Sequence, residues 1–502
     1  MPGKKENFST GKKKATKNPL AKYVDTIIPD NYFYLFSTLN FSCMKKILFF
    51  LLLLAPVLLA IAQHKKKKIV TSSKGTTKKD AATVQNNEIL PGAYQTKEYL
   101  PLLKNKRVAI FANPTSTIGN RHLVDTLQKL GINIVKAFGP EHGFRGDADA
   151  GETVDTYTDS ATGIPVISLY GNKRRPSAED LKDVDVMLFD IQDVGTRFYT
   201  FISSLEEYLE SAIENNKPLI ILDRPNPNGF YVDGPVLDTT YKSFVGMQPI
   251  PIVYGMTIGE YALYLCGERL KLSDSLTYTF EALITDDLAI RRKKKNYNAV
   301  FSITHAKELE AHGDLFIIPC KNYTHNRKYI LPVKPSPNLP DMPSIYWYAS
   351  TCLFEGTVLS EGRGTDHPFC IFGHPSLPNN LFSFTPTSRD GAKDPKLKDQ
   401  LCYGWNLFGS NTEVLKEINN HVQLKYLIKA YQLFPDKENF FIKPKKDVPT
   451  AYSFNRLAGT QDLIEQIKAG KTEAQIRASW QPALKEFKVI RKKYLLYPDF
   501  DK

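Results

Sequence analysis

"RVAIFANPTSTIGNRHLVDTLQKLGINIVKAFG", residues 107–139, sets a short β-branched run against a helical pattern and then a second apolar run. A strand, a crossover helix and a second strand in that order form a βαβ unit, which requires the two strands to lie parallel in one sheet. The rhythm continues with "IPVISLYG" (164–171), "VDVMLFD" (184–190), a helix through "TFISSLEEYLESAIENN" (200–216) and "KPLIILD" (217–223). These strand candidates are almost continuously apolar, as expected when helices cover both faces of a parallel sheet. The fold class expected is α/β: a Rossmann-like, doubly wound domain over 91–270, followed by a smaller α+β domain over 271–502.

Past "SFVGMQPIPIVYGMTIGEYALYLCGE" (243–268) the rhythm is lost, and "LTYTFEALI", "LFIIPC" and "YILPVKPSPNLP" read as strands and proline-rich loops. The tail from Thr460 to Phe500 has apolar residues at helical spacing, so it forms one or two amphipathic helices with Leu463, Ile464 and Ile467 in the core.

The formal charge of +13 is concentrated in the first 90 residues, and the remainder is close to neutral. A basic footprint for nucleic acid is therefore missing. "MKKILFFLLLLAPVLLAIAQ" (44–63) has the two lysines, apolar run and small-residue end of a secretory signal peptide, with cleavage expected after Ala62. Residues 1–43 then read as an extension upstream of the true start, and the Lys/Ser/Thr-rich residues 63–90 as a linker. The expectation is an exported, periplasmic or secreted protein with no stable membrane anchor after cleavage. Cys266, Cys320, Cys352, Cys370 and Cys402 are scattered, with neither a CxxC pair nor a disulfide framework.

In parallel sheets ligands bind beyond the carboxyl ends of the strands, where the connecting loops converge. The segments that follow the strands are Asn113-Pro114-Thr115, then Gly139-Pro140-Glu141-His142-Gly143, Tyr170-Gly171, Asp190-Ile191-Gln192-Asp193 and Asp223-Arg224-Pro225-Asn226. A single polar turn of this kind is an ordinary loop or cap. Five in succession, carrying carboxylate, imidazole, amide and guanidinium, point to a site. A second polar group lies at "PSPNLP" (335–340) and "FEGTVLSEGRGTDHPF" (354–369), with Asn338, Glu355, Glu361 and Arg363.

The phosphate-loop and dinucleotide spacings are absent, so no nucleotide cofactor is expected. Single, isolated histidines with no HExxH argue against a metal, and without GxSxG there is no serine elbow. Carboxylates, guanidinium groups and aromatics remain. They suit a glycosidase, in which carboxyl groups protonate the leaving oxygen and activate water while rings stack on sugars. Export would make cell-wall glycan the substrate.

"FGPEHGFRG" (138–146), "TGIPVISLYG" (162–171), "DIQDVGTRFYTFISSL" (190–205), "LDRPNPNG" (222–229), "PIPIVYGMTIGE" (249–260), "PSPNLP" and "EGTVLSEGRGT" (355–365), taken in order, resemble the exo-β-N-acetylmuramidases. The resemblance spans residues 91–502. It implies a cleft between two domains that removes N-acetylmuramic acid from non-reducing glycan ends, with Glu141 at the position of the family's proposed catalytic glutamate. One departure is Cys370, where a polar residue is expected after "GTDHPF".

From the residues themselves, Glu141 is the candidate general acid, with His142 orienting it or sharing its proton. Asp190 or Asp193 could activate water, or the substrate's own acetamido group could replace a protein nucleophile. Arg197, Arg224 and Arg363 are candidates for the lactyl carboxylate of muramic acid, because a planar guanidinium can hold both oxygens. Asn113, Tyr170, Tyr199, Asp223, Asn226, Asn338, Glu355 and Glu361 complete the expected substrate contacts. The competing reading is an exported protein that captures a muropeptide or sugar in the same cleft without cleaving it.

Overall fold

In the computed structural model, residues 87–146, 156–270, 301–303 and 315–501 are described. The segments read as an upstream extension, a signal peptide and a linker, up to residue 86, and "LTYTFEALI" lie outside them.

The chain folds as expected from the βαβ pattern. In order it forms β1 (Arg107–Ala112), a small hairpin of β2 (Thr117–Ile118) and β3 (Arg121–His122), then β4 (Asn133–Gly139), β5 (Tyr157–Thr158) and β6 (Pro165–Ser168). It continues with β7 (Val186–Asp190), β8 (Leu219–Leu222), β9 (Asp233–Val236), β10 (Pro251–Val253), β11 (Phe301–Ile303) and β12 (Leu315–Ile318). Eight of these form one sheet in the order β11-β12-β8-β7-β1-β4-β6-β5. The six inner strands are all parallel, and only the two outermost run antiparallel.

From β1 the chain winds outward through β4 and β6, then returns to place β7 on the other side of β1 and winds outward again through β8 and β12. That reversal makes the carboxyl ends of β1 and β7, paired at Ala112 and Asp190, a topological switch point. Side chains alternate across the sheet. Val108, Ile110, Leu188, Ile220 and Ile318 enter one apolar cluster with the helices Thr96–Leu103 and Leu123–Lys129. Ala109, Phe111, Met187, Phe189, Ile221 and Ile317 enter the other, with the helices Phe201–Glu214 and Ile258–Tyr264. Burial on both faces explains why these strands read as unbroken apolar runs.

The sheet does not stop where the βα rhythm stops. β12 pairs parallel with β8 from Leu315↔Leu219 to Ile318↔Leu222, so the chain crosses residue 270 and comes back to the same sheet. Residues from Asn87 onward form one compact unit, in contrast to a division near 270. The cause is β12, whose apolar "LFII" completes the β8 edge. "YILPVKPSPNLP" contributes no strand and runs as an irregular loop.

Beyond it lie the buried helix Met342–Thr351, a three-stranded antiparallel sheet (Ile371–His374, Cys402–Asn406 and Phe382–Phe384) and further helices. The tail forms two helices, Asp462–Lys468 and Glu473–Lys492, and Leu463, Ile464 and Ile467 are buried. All five cysteines after Cys43 are buried free thiols.

Candidate active site

Glu141 and His142 occupy a turn directly after β4, closed by the Gly143 N–H donating to the Pro140 carbonyl at 3.0 Å. His142 has φ 68° and Gly143 φ 78°. A left-handed histidine is uncommon, and a non-glycine residue held there costs free energy that the surroundings must offset. The backbone reversal leaves His142 buried, with Nε2 3.3 Å from the Ser336 hydroxyl, while Glu141 is half-buried at the rim of a cavity.

That cavity has a volume of about 280 Å³, just below the roughly 300–1,000 Å³ usual for ligand sites. One wall comes from the loops after β4, β6 and β7: Glu141, Tyr170, Arg174 and Phe198–Phe201. Facing it are Ser336, Asn338, Tyr348, Glu355, Arg363 and Phe369. Tyr170 donates its hydroxyl to Glu141 Oε1 at 3.0 Å. Burial and the neighbouring Glu141 carboxyl push the Tyr170 phenol up to about 12, so it remains a neutral donor throughout the physiological range. Phe198, Tyr199, Tyr348 and Phe369 meet edge to face along the floor.

Tyr199 also lines the cavity but donates its hydroxyl to the Pro335 carbonyl at 2.8 Å. Asn338 spends its amide N–H on the Gly391 carbonyl. Glu355 and Arg363 are paired at 2.6 Å, and Arg363 also holds Glu361 at 2.9 Å. Glu361 lies behind the wall; burial pushes its carboxyl up, but Lys396 and Arg363 together hold it below its usual value. Cys370 is buried behind Phe369, with its sulfur 3.8 Å from the Ser344 hydroxyl, so the expected polar position does not face the cavity.

The other strand ends are occupied by the protein itself. Asp190 and Arg224 are both buried and make a bidentate pair at 2.6 and 2.8 Å. Asp193 is fully buried, accepts from the Gly195 N–H and the Tyr254 hydroxyl, and has its other oxygen unpartnered. Burial pushes its carboxyl up to about 7. Gly195 at φ 81° permits this packing, since a Cβ there would lie 2.1 Å from the Asn226 side-chain oxygen.

Asp223 caps the helix Ile258–Tyr264, accepting from the Gly259 N–H and the Thr257 hydroxyl, while Tyr497 donates to its second oxygen. Asn226 bonds the Met256 carbonyl and the Asn228 N–H. Arg197 donates to the carbonyls of Pro235, Ile250 and Leu457, and with no carboxylate beside it burial lowers it to about 9. None of Asp190, Asp193, Arg197, Asp223, Arg224 and Asn226 lines the cavity. Asn113 lines a neighbouring hollow that shares His142 and Ser336, its own oxygen holding the Thr115 N–H and hydroxyl.

Missed from the sequence were Arg174, Phe198, Phe244, Ser336, Tyr348 and Phe369. A cation inside "NKRRPS" and isolated aromatics carry no local signature.

An acid held by a phenol beside a small ring-walled cavity, at the carboxyl edge of a doubly wound sheet, suits a carbohydrate-cleaving hydrolase of α/β type. Two family models match: the N-terminal domain of the exo-β-N-acetylmuramidase NamZ over residues 108–343 and its C-terminal domain over 346–497. The chain belongs to that family. It is 36% identical over 424 residues to the peptidoglycan β-N-acetylmuramidase NamZ of Bacillus subtilis (strain 168), covering 80% of this chain and 89% of the relative. Two crystal structures of DUF1343 family proteins from Bacteroides fragilis NCTC 9343 share the fold. One is 43% identical with a TM-score of 0.67, the other 26% identical with 0.60, and each match covers 82% of this chain and 99% of the other. The two family models meet at 343–346, on the helix Met342–Thr351 that contributes Tyr348 to the second wall of the cavity.

Proposed function

We propose that this protein is an exo-acting β-N-acetylmuramidase that releases N-acetylmuramic acid from the non-reducing ends of peptidoglycan fragments. Its family membership supports the reaction class. The observation that carries the reading is Glu141, hydrogen-bonded by Tyr170 at the edge of a cavity with room for one substituted sugar. A cavity of this small volume favours an end residue over the middle of a polymer.

Glu141 protonates the glycosidic oxygen as it leaves, and Tyr170 fixes the orientation of the carboxyl. His142, held by Ser336, sets the turn that presents Glu141. With Asp190 bound to Arg224, Asp193 off the cavity and Glu355 paired with Arg363, the group that assists from the opposite side of the ring is the substrate's own 2-acetamido oxygen. The ring-lined floor takes the apolar face of the sugar.

Export is part of the same proposal, supported by the charged, apolar and small-residue segments of residues 44–62. N-terminal sequencing of the protein from the extracytoplasmic fraction should begin at Gln63, and a product that retained residues 1–43 would refute it. The enzymatic reading is tested by incubating purified protein with a nitrophenyl β-N-acetylmuramoside and with the disaccharide of muramic acid and N-acetylglucosamine. Release of N-acetylmuramic acid from both is expected. Tight binding without release would make the protein a sugar-capturing module.

A further inference from the structure

The sequence contains three cations in a row, Lys173, Arg174 and Arg175, directly after β6. Two are engaged by acids of the protein. Lys173 holds Asp180 at 2.6 Å, and Arg175 reaches Glu210 at 3.1 Å and Glu214 at 3.0 Å on the helix Phe201–Glu214. Arg174, between them, forms no ion pair among the described residues and turns into the cavity. Its guanidinium lies 3.9 Å from the centre of the Phe244 ring and 5.5 Å from that of Tyr170.

Ring contact of this kind holds the guanidinium plane while leaving its N–H edge available. The other cavity guanidinium, Arg363, is already neutralised by Glu355 and Glu361. Arg197 and Arg224 face carbonyls and Asp190. Tyr170 touches both ends of the arrangement: its hydroxyl binds Glu141, and its ring underlies Arg174. Among the described residues, an acid and a cation that no carboxylate holds in an ion pair therefore line one cavity.

We propose that Arg174 is the specificity-determining residue of this site and binds the lactyl carboxylate of the sugar whose glycosidic oxygen meets Glu141. This rests on the muramidase reading above. A carboxylate is the ligand that a guanidinium on an aromatic shelf recognises best, through two parallel N–H···O bonds. A sugar lacking that carboxylate would leave the cavity with an unpaired, partly desolvated charge, which costs affinity.

The test compares nitrophenyl β-N-acetylmuramoside with its lactyl methyl ester, using wild-type protein and the variants Arg174→Gln, Arg174→Lys and Arg175→Gln. Wild type should favour the free acid over the ester by roughly 10- to 100-fold in kcat/KM, expressed mainly in KM. Arg174→Gln should lose that factor on the acid and change little on the ester, so that the ratio falls towards one. Arg174→Lys should restore part of the ratio, and Arg175→Gln, outside the cavity, all of it. If Arg174→Gln does not fold, Arg174→Lys carries the comparison with an expected intermediate ratio. Active wild type with an acid-to-ester ratio near one, or a ratio unchanged in Arg174→Gln, overturns the assignment of Arg174 alone. Wild type inactive on both compounds overturns the muramidase reading and this assignment with it.

Discussion

The Tyr170 hydroxyl lies 3.0 Å from Glu141 Oε1, joining the loop after β6 to the loop after β4. The two residues are 29 positions apart, and only the pairing of β4 with β6, from Ala137↔Val166 to Gly139↔Ser168, sets them side by side. Replacing Tyr170 by Phe removes one hydrogen bond and almost no volume. The loss expected in kcat is roughly 10- to 100-fold, because the bond that orients the acid is worth about 1.5–3 kcal/mol in the transition state, and the loss of folding stability should not exceed the same amount. Steady-state kinetics alongside a melting curve separate the two effects, and full activity would remove Tyr170 from the reaction.

Glu141→Gln keeps the shape of the turn and removes the acid. Activity on the natural disaccharide should fall by roughly 10²–10⁴-fold. A nitrophenyl leaving group needs less protonation and should lose less. A folded variant that still cleaves the disaccharide at the wild-type rate would reduce "FGPEHGFRG" to a turn.

Arg197 is expected to act on stability and not on sugar choice. Its guanidinium ties the loop after β7 to β9, to Ile250 and to Leu457 through three carbonyls. Arg197→Met strands those acceptors and should destabilise by several kcal/mol, about 1–3 for each buried group left unpaired. Activity per folded molecule should persist on both the acid and the ester of the muramoside. A selective loss on the acid would place Arg197 in recognition after all.

The Asp193 carboxyl, pushed up to about 7 by burial, should make stability depend on pH in a defined direction. Its folded value lies above the ordinary value of 3.8, so its contribution is fully present below about pH 4 and is lost as the pH rises towards 7. Asp193→Asn cannot ionise. The difference in unfolding free energy between wild type and Asp193→Asn should therefore shift in favour of the variant from pH 4 to pH 7 and then level off. A difference that stayed constant over that range would show that Asp193 ionises normally.

Cys266, Cys320, Cys352, Cys370 and Cys402 are buried thiols with no partner sulfur. Burial raises the thiol of Cys266 to about 12 and that of Cys402 to about 11, which leaves little thiolate at neutral pH. Native protein beginning at Gln63 should show almost no reaction with a thiol reagent, and denatured protein should show all five. Fewer than five after denaturation without reductant would reveal a bridge.

The sequence by itself determined the parallel strands from β1 to β8 but not the edge that β12 completes, because strands buried on both faces must be apolar at every position and their crossover helices amphipathic, and both patterns survive in one dimension only while the βα rhythm lasts. For the same reason it pointed to the loop of Glu141, which lines a cavity: a pocket at strand ends is a consequence of topology, and topology followed from the βαβ order. It did not determine which strand-end residues face the ligand. Asp190, Asp223, Arg197 and Arg224 have the chemistry of a site, yet each is consumed by a partner between 34 and 274 positions away: Arg224, Tyr497, Leu457 and Asp190. Arg174 shows the converse, since its neighbours Lys173 and Arg175 look identical in the sequence and differ only in the acids that the packed helices bring to them. Polar side chains satisfy the nearest complementary group in space, and that distance is set by tertiary packing.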